Sequence, residues 1–397
     1  MGTVTPFKKD SDKKIDFTSY KKKLFQHKMK LIIGAASLCA VLIAVIVVVL
    51  IKFSNKVYTD YEVIDRVKFS KIDGSSVFSY NDQFITYSKD GIHCTNSKGK
   101  DTWSVPFEMQ NPMVDICGEY VAAADRNGRT AYVFNYTGEL GRIETNLPIK
   151  KLAVSGTGVI AIITEDEDNT PINLYKYDGT KIATFRTTMS KSGYPMAIDI
   201  SENGKLFIVS YLYLDNGELT SKVAFYNFGD VGQNESDNLV SGYDYADVVV
   251  PSVGFLNEKY SYACASNKLV FFDGKERPTN LATVELTEEV QAIYSGDEHI
   301  GLLYLDSTGE AKYRLDIYNE KGQKESSVKF NKEYSDIFFA NNQVIIYNAT
   351  SAAIYKDNGR LKYDSSFKES VALMIPTSSK TKYILVTSDS IQTIVLK

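Results

Sequence analysis

MVDICGEYVAAADRNGRTAYVFNYTGELGRIET, residues 113–145, is a set of four short apolar runs cut by turns. The runs MVDIC, YVAAAD, TAYVFN and LGRIET are separated by Gly118, by RNGR and by YTG. Runs of about four to eight residues bounded by Gly and Asn read as strands, and none carries the three-to-four spacing of a helix. Small and aliphatic residues fill the first three, as strands packed on both faces require, while the fourth alternates with polar residues. The stretch therefore predicts one antiparallel four-stranded sheet. Residues 151–187 repeat it as KLAVS, GTG, VIAIIT, EDEDNTP, INLYKY, DGT and KIATFRT.

The turn before the outer strand marks the repeat along the chain. It ends at Gly99, Gly138, Gly179, Gly229, Gly274, Gly322 and Gly359, at intervals of 39, 41, 50, 45, 48 and 37 residues. Periods of about 40 to 50 residues with four strands each are those of propeller blades. Seven copies are complete. An eighth begins with SVALMIP, KYILVTSD and SIQTIVLK and stops at Lys397, one strand short. YEVIDRVKF, residues 61–69, stands unmatched before the first copy. Pairing it outside SIQTIVLK completes the last sheet and removes two free edges, which otherwise invite aggregation. The fold class is thus all-β: an eight-bladed β-propeller, with seven blades as the alternative.

Ahead of the propeller, residues 31–51 read LIIGAASLCAVLIAVIVVVLI, without charge and flanked by Lys30 and Lys52. At about 1.5 Å per residue this run spans a hydrocarbon core of about 30 Å. It predicts one transmembrane helix over residues 31–53, with a short polar stalk at 54–60 and a propeller over 61–397. A cleaved signal peptide is the competing reading. Its apolar region is typically about 7 to 15 residues and is followed by small residues; this run is longer and exits through basic and β-branched residues. Residues 1–30 hold nine Lys against three Asp, so the remainder carries about −10 of the net −4. Such a basic flank holds the N-terminus in the cytoplasm and places the bulk outside. Mixed Gly, Pro, Ser and charge predict that this tail is mostly disordered, with a short amphipathic turn near residues 17–25.

KGKDTWSVPF, residues 98–107, resembles the glycine turn and docking tryptophan of the quinoprotein-like propeller repeat, in which the tryptophan rests on the next blade. Trp103 is the single Trp of the chain. The whole also resembles an uncharacterised family of single-pass membrane proteins from low-GC Gram-positive bacteria, a domain of unknown function with a basic tail, one helix and an external propeller. That resemblance implies fold and location without an activity. Quinone-dependent dehydrogenases of related fold need a Ca²⁺ site and an axial tryptophan, which nothing here matches. Envelope assembly scaffolds of the same repeat type imply a role in binding.

Chemistry-bearing residues are sparse. Four Cys and three His occur, with no CxxC and no HExxH, so no metal or cofactor site is expected. Cys39 falls in the apolar helix and leaves Cys94, Cys117 and Cys264 outside, an odd number. Cys94 and Cys117 lie on neighbouring blades, where strands seldom reach the roughly 5.5 Å Cα spacing of a disulfide; buried thiols are the reading.

Loops joining second to third strands, and those linking blades, emerge on one face of a propeller. There the chain places Asp125, then Glu165, Asp166, Glu167 and Asp168, then Asp215 and Glu218, then Asp306 and Glu310. A ring of one sign focuses the field toward cations or a basic partner. EDEDNTP lacks the glycine and distal glutamate of a calcium loop. Residues 230–245 lengthen the fourth copy, and with Tyr194 and Pro195 before them and Tyr243 and Tyr245 at their end they offer aromatic contact surface. An acidic exterior repels phosphate, which excludes nucleic acid. The reading is a non-enzymatic binding or scaffold module for a protein or cell-wall ligand. A sensor that relays binding to the basic tail is the alternative, and an enzyme on wall glycan comes third. Oligomeric state is left open.

Overall fold

The computed structural model describes residues 17–54, 56–69, 74–81, 83–166, 170–185, 193–296 and 298–397. They fall into two units, one within residues 1–56 and the other within 57–397.

The first unit is one helix, Phe17–Ser54. Within it Lys21–Ile46 is long and apolar enough to cross a membrane. The helix therefore starts fourteen residues ahead of the expected apolar run, through a segment expected to be mostly disordered apart from a short amphipathic turn near residues 17–25. Extending an existing helix needs no new nucleus, and Lys, Leu, Gln and Met are good helix formers, so FTSYKKKLFQHKMK joins it.

The second unit consists of eight four-stranded antiparallel sheets. Blades 1 to 7 occupy residues 76–106, 112–144, 149–185, 194–246, 252–285, 292–330 and 336–366, and each runs from its inner to its outer strand in chain order. Blade 8 takes three strands from residues 371–396 and its outer strand from Tyr61–Lys68. That strand runs antiparallel to the last one, with Tyr61 opposite Leu396 and Lys68 opposite Ser390. Ring closure occurs as the strand count required.

The expected stalk is shorter than 54–60. Ser54 ends the helix, and Tyr58 bridges Tyr363 of blade 7 while the Thr59 N–H and the Asp60 carbonyl bond Lys397. Residues 58–60 thus belong to the propeller, because unpaired backbone beside the seam finds partners there.

Blades are glued face to face by apolar clusters. Tyr61, Tyr363, Met374 and Tyr383 join blades 7 and 8, and Phe69, Phe84, Leu373 and Val386 join blades 8 and 1. Trp103 of blade 1 stacks on Phe134 of blade 2 at 5.2 Å, as the repeat resemblance implied. Gly99, at φ +73°, sits where a Cβ would meet the Lys68 carbonyl at 2.2 Å. Only glycine lets that turn lie against the closing strand.

Candidate functional site

One face of the ring gathers the second-to-third-strand loops and the blade linkers, and blade 4 changes its shape. Its second and third strands, Leu206–Asp215 and Glu218–Asn227, have ten residues each, against five to seven in the other blades. They pair without a break from Leu206–Asn227 to Asp215–Glu218. Asn216 and Gly217 close the hairpin at φ 50° and 88°, the left-handed pair that a two-residue turn needs. Asp215 and Glu218 face each other across this tip, flanked by Leu214, 70% exposed, and Leu219, 39% exposed. Opposed like charges weaken a strand pair, and exposed leucines bring it nothing in water.

The acidic loop of blade 3 is partly tied down. Glu165 Oε2 accepts from Lys150 Nζ at 3.1 Å and from the Tyr194 hydroxyl at 3.4 Å. Burial, reinforced by the Glu165 charge, raises the Tyr194 phenol. Asp166 continues the loop, while Glu167 and Asp168 lie outside the described residues. Elsewhere in the expected ring the carboxylates organise their own loops. Asp125 accepts from the Asn111 N–H at 2.7 Å. Asp306 accepts from Thr308 Oγ1 at 2.7 Å and from the Ala311 N–H at 3.1 Å, which holds it near pKa 2. Glu310 pairs with Lys329 at 2.7 Å.

Tyr243 and Tyr245 do not join this surface. Both lie within the outer strand of blade 4, Leu239–Ala246, and turn toward blade 5. The Tyr243 hydroxyl donates to the Pro278 carbonyl at 2.9 Å, and its ring lies 5.0 Å from Phe272. The Tyr245 hydroxyl is buried without a partner among the described residues, and its pKa is pushed up to about 12. The insertion itself precedes an outer strand and so emerges on the opposite face. It folds as two short 3-10 turns, Gly232–Asn234 and Ser236–Asn238, and Glu235 pairs with Arg277 of blade 5. Its aromatic residues serve packing because alternation along the outer strand turns them toward the neighbouring blade.

Next to the Glu165 loop a groove of 570 Å³ opens between blades 2 and 3. Thr145, Thr164, Asn173, Tyr175 and Thr184 line it, and the Lys181 ammonium lies 5.7 Å from the Tyr175 ring centre. Asn173 Nδ2 donates to Thr164 Oγ1 at 3.4 Å, and Asn173 Oδ1 accepts from Thr184 at 2.9 Å. Such a lining offers hydroxyls and an amide for hydrogen bonding, without an activated nucleophile.

All four cysteines are free. Burial drives Cys117 up to about 11 and Cys264 to about 12, so neither is a thiolate near neutral pH. Among the described residues no three His, Cys, Asp or Glu side chains gather as a metal site.

The projecting hairpin and the groove were not anticipated. The hairpin had a signal in the uninterrupted run LFIVSYLYLD before Asn216 and Gly217. The groove had none, since it forms between separate repeats.

A closed ring of four-stranded blades preceded by one apolar helix defines the class as an eight-bladed β-propeller with a candidate membrane span. Within that class the chain belongs to a family of unknown function, DUF5711, which matches residues 54–396. Similar solved structures include apo AztD from Citrobacter koseri, 8% identical over 79% of this chain and 94% of that one, TM-score 0.50. BamB from Moraxella catarrhalis is 13% identical over 85% of this chain and 100% of that one, TM-score 0.49. Hsv2 from Kluyveromyces lactis is 10% identical over 78% and 98%, TM-score 0.48. At these identities the likeness is one of fold. No curated protein matches the sequence.

Proposed function

We propose that the chain is a single-pass membrane protein whose external propeller binds a protein partner on its loop face and acts as a scaffold. One observation carries the reading: the blade 4 hairpin exposes Leu214 and Leu219 on one of its faces, just below a tip that carries the opposed carboxylates of Asp215 and Glu218. Exposed apolar side chains with charged residues at their border are what a protein contact covers. The nine lysines of residues 1–30 favour a cytoplasmic N-terminus.

The test is a photo-crosslinking side chain placed at Asn216, used in native membranes. Wild-type protein should yield a discrete crosslinked partner, and the double variant Leu214→Ser, Leu219→Ser should lose it. Stability should move by less than about 0.5 kcal/mol, because the tip is exposed. An unchanged crosslink in the double variant overturns the reading. N-terminal sequencing of the mature protein tests the anchor, and a start near residue 54 defeats it.

A sensor is the second reading, and the length of the helix favours it. Thirty-eight residues span about 57 Å, longer than the bilayer core of about 30 Å, so one rod links the basic segment to the span. A single helix relays a signal only when binding changes its population of states.

A further inference from the structure

At the centre of the ring the first strands of blades 2, 3 and 4 surround a cavity of 450 Å³, within the range of ligand sites. Met113, Leu152 and Ile198 give it apolar walls, and Tyr87 closes one side. Two cations enter it, Lys151 from the first strand of blade 3 and Arg126 from the loop after the second strand of blade 2. Neither side chain forms an ion pair among the described residues. Burial, with the Arg126 charge added, lowers the Lys151 pKa. Asp115 also lines the cavity, but its Oδ2 accepts from the Val154 N–H at 2.8 Å and it makes no ion pair with Lys151. Arg126 is exposed at the mouth and Lys151 is half-buried, so the cost falls on the Lys151 charge, set beside apolar walls and a like-charged neighbour; proteins retain such costs where function needs them.

The occupant that relieves this cost is an anion carried on an apolar group. The charge of the surrounding face selects among anions. Glu165, Asp166, Asp215 and Glu218 belong to the same loop face, so a polyanion or an anionic bilayer is repelled before it reaches the centre. A peptide of neutral or basic body, anionic at its end alone, suits both zones. The innermost strand of every blade is paired on one side only, and apart from the Val154 and Phe255 N–H groups, which Asp115 and Asp199 accept, this leaves backbone groups toward the axis for an extended chain.

We propose that the mouth of the central channel receives the free carboxyl terminus of a polypeptide, with the carboxylate held by Arg126 and Lys151 and the last side chain against Met113, Leu152 and Ile198. Guanidinium binds carboxylate through two parallel hydrogen bonds, and ammonium adds a point charge. The proposal deepens the scaffold reading and rests on it, because it assigns the bound end of a partner on the same face.

The test uses the full chain in nanodiscs and a fluorescein-labelled library of basic pentapeptides ending in Ala, Val or Leu, as free acids and as carboxamides. Free acids should bind at least about tenfold tighter than their amides, the worth of hydrogen bonds to a charged group. The double variant Arg126→Gln, Lys151→Gln should bring the free acids down to the level of the amides, with an unchanged or higher melting temperature. Inorganic phosphate at 10-fold excess over peptide should not compete. Equal binding of acid and amide, no binding by any peptide, indifference to the double variant, or displacement by phosphate or by anionic lipid vesicles each overturns it. The Asn216 crosslink separates the two failures: if it persists while acid and amide bind alike, the channel assignment falls and the scaffold reading stands.

Discussion

The joints between blades 2 and 3 and between blades 4 and 5 begin alike and end differently. At the inner end each carries the same buckle: Asp115 of blade 2 accepts from the Val154 N–H of blade 3, and Asp199 of blade 4 from the Phe255 N–H of blade 5, both at 2.8 Å. Toward the rim they diverge. The 4–5 joint is sealed by rings, Phe272 lying 5.1 Å from Phe225 and 5.0 Å from Tyr243. The 2–3 joint places Asn173, Thr164 and Thr184 there, and a groove opens. Blade geometry alone therefore does not make a cavity. Both third strands keep an aromatic just after their bulge, Tyr175 in blade 3 and Phe272 in blade 5, and the groove opens where Asn173 stands two residues earlier in place of Val270, among polar groups that satisfy one another.

If ring packing is what closes the 4–5 joint, Phe272→Ala should have the largest effect. Truncating a fully buried phenylalanine costs about 3–5 kcal/mol, and the residual hole adds to the transfer term. Chemical denaturation of the full chain in detergent should show that loss as a lower midpoint at unchanged slope. A loss below about 1 kcal/mol would mean that the backbone buckles, and not the rings, hold the blades together.

The shared buckle should show itself as a dependence on pH. Burial, reinforced by the Asp115 charge, raises Asp199 from its ordinary 3.8 to about 7. Between those values the folded chain keeps a proton that the unfolded chain releases, so this group's contribution to stability is greatest near pH 4, falls as pH rises to about 7 and then levels. A rise from 3.8 to about 7 sets a ceiling of about 4 kcal/mol, reduced by solvent screening because Asp199 is part-exposed. Asp306, held near 2, acts in the opposite direction and only below its ordinary range. Melting temperature should therefore decline from pH 5 to 7.5, and Asp199→Asn should flatten the decline. A wild-type profile that rises across this window would remove the buckle's carboxyl as its cause.

Blade number and ring closure were legible because each repeat announces itself in a glycine turn such as Gly138 or Gly179, and because a sheet one strand short demands an outside partner. The faces of individual residues were less so. Tyr243 and Tyr245 read as the end of a loop until the outer strand is seen to start at Leu239, after which alternation turns both toward blade 5. Glu165 was legible as an acid but not as the partner of Lys150, which the Ile149–Thr164 register sets beside it, nor of Tyr194, which the ring brings from the next blade. Arg126 and Lys151 carried no periodic signal for the same reason. The paired aspartates of MVDIC and AIDI look like interruptions of apolar strands, although each supplies the acceptor for a neighbouring strand that has no further strand on that side.

The smallest expected effect sharpens the contrast at the rim. Asn173 is 6% exposed, opposite Ile162 on one side and Thr184 on the other, with both ends of its amide bonded. In Asn173→Leu the exposed Thr184 hydroxyl loses its acceptor and turns to water, the buried Thr164 hydroxyl loses a donor but keeps its own bond to the Pro171 carbonyl at 3.3 Å, and the new side chain lies beside Tyr175, two residues along the same strand. A polar residue replaced by an apolar one of similar size, with one former partner solvated and the other still bonded, changes stability little; the shift should stay within about 1.5 kcal/mol in either direction. Thermal unfolding of the single variant beside Phe272→Ala reads the difference directly. Were Asn173→Leu to cost as much as the phenylalanine, the amide network would be a seal in its own right, and the groove would be a by-product of packing instead of a space kept open for a ligand.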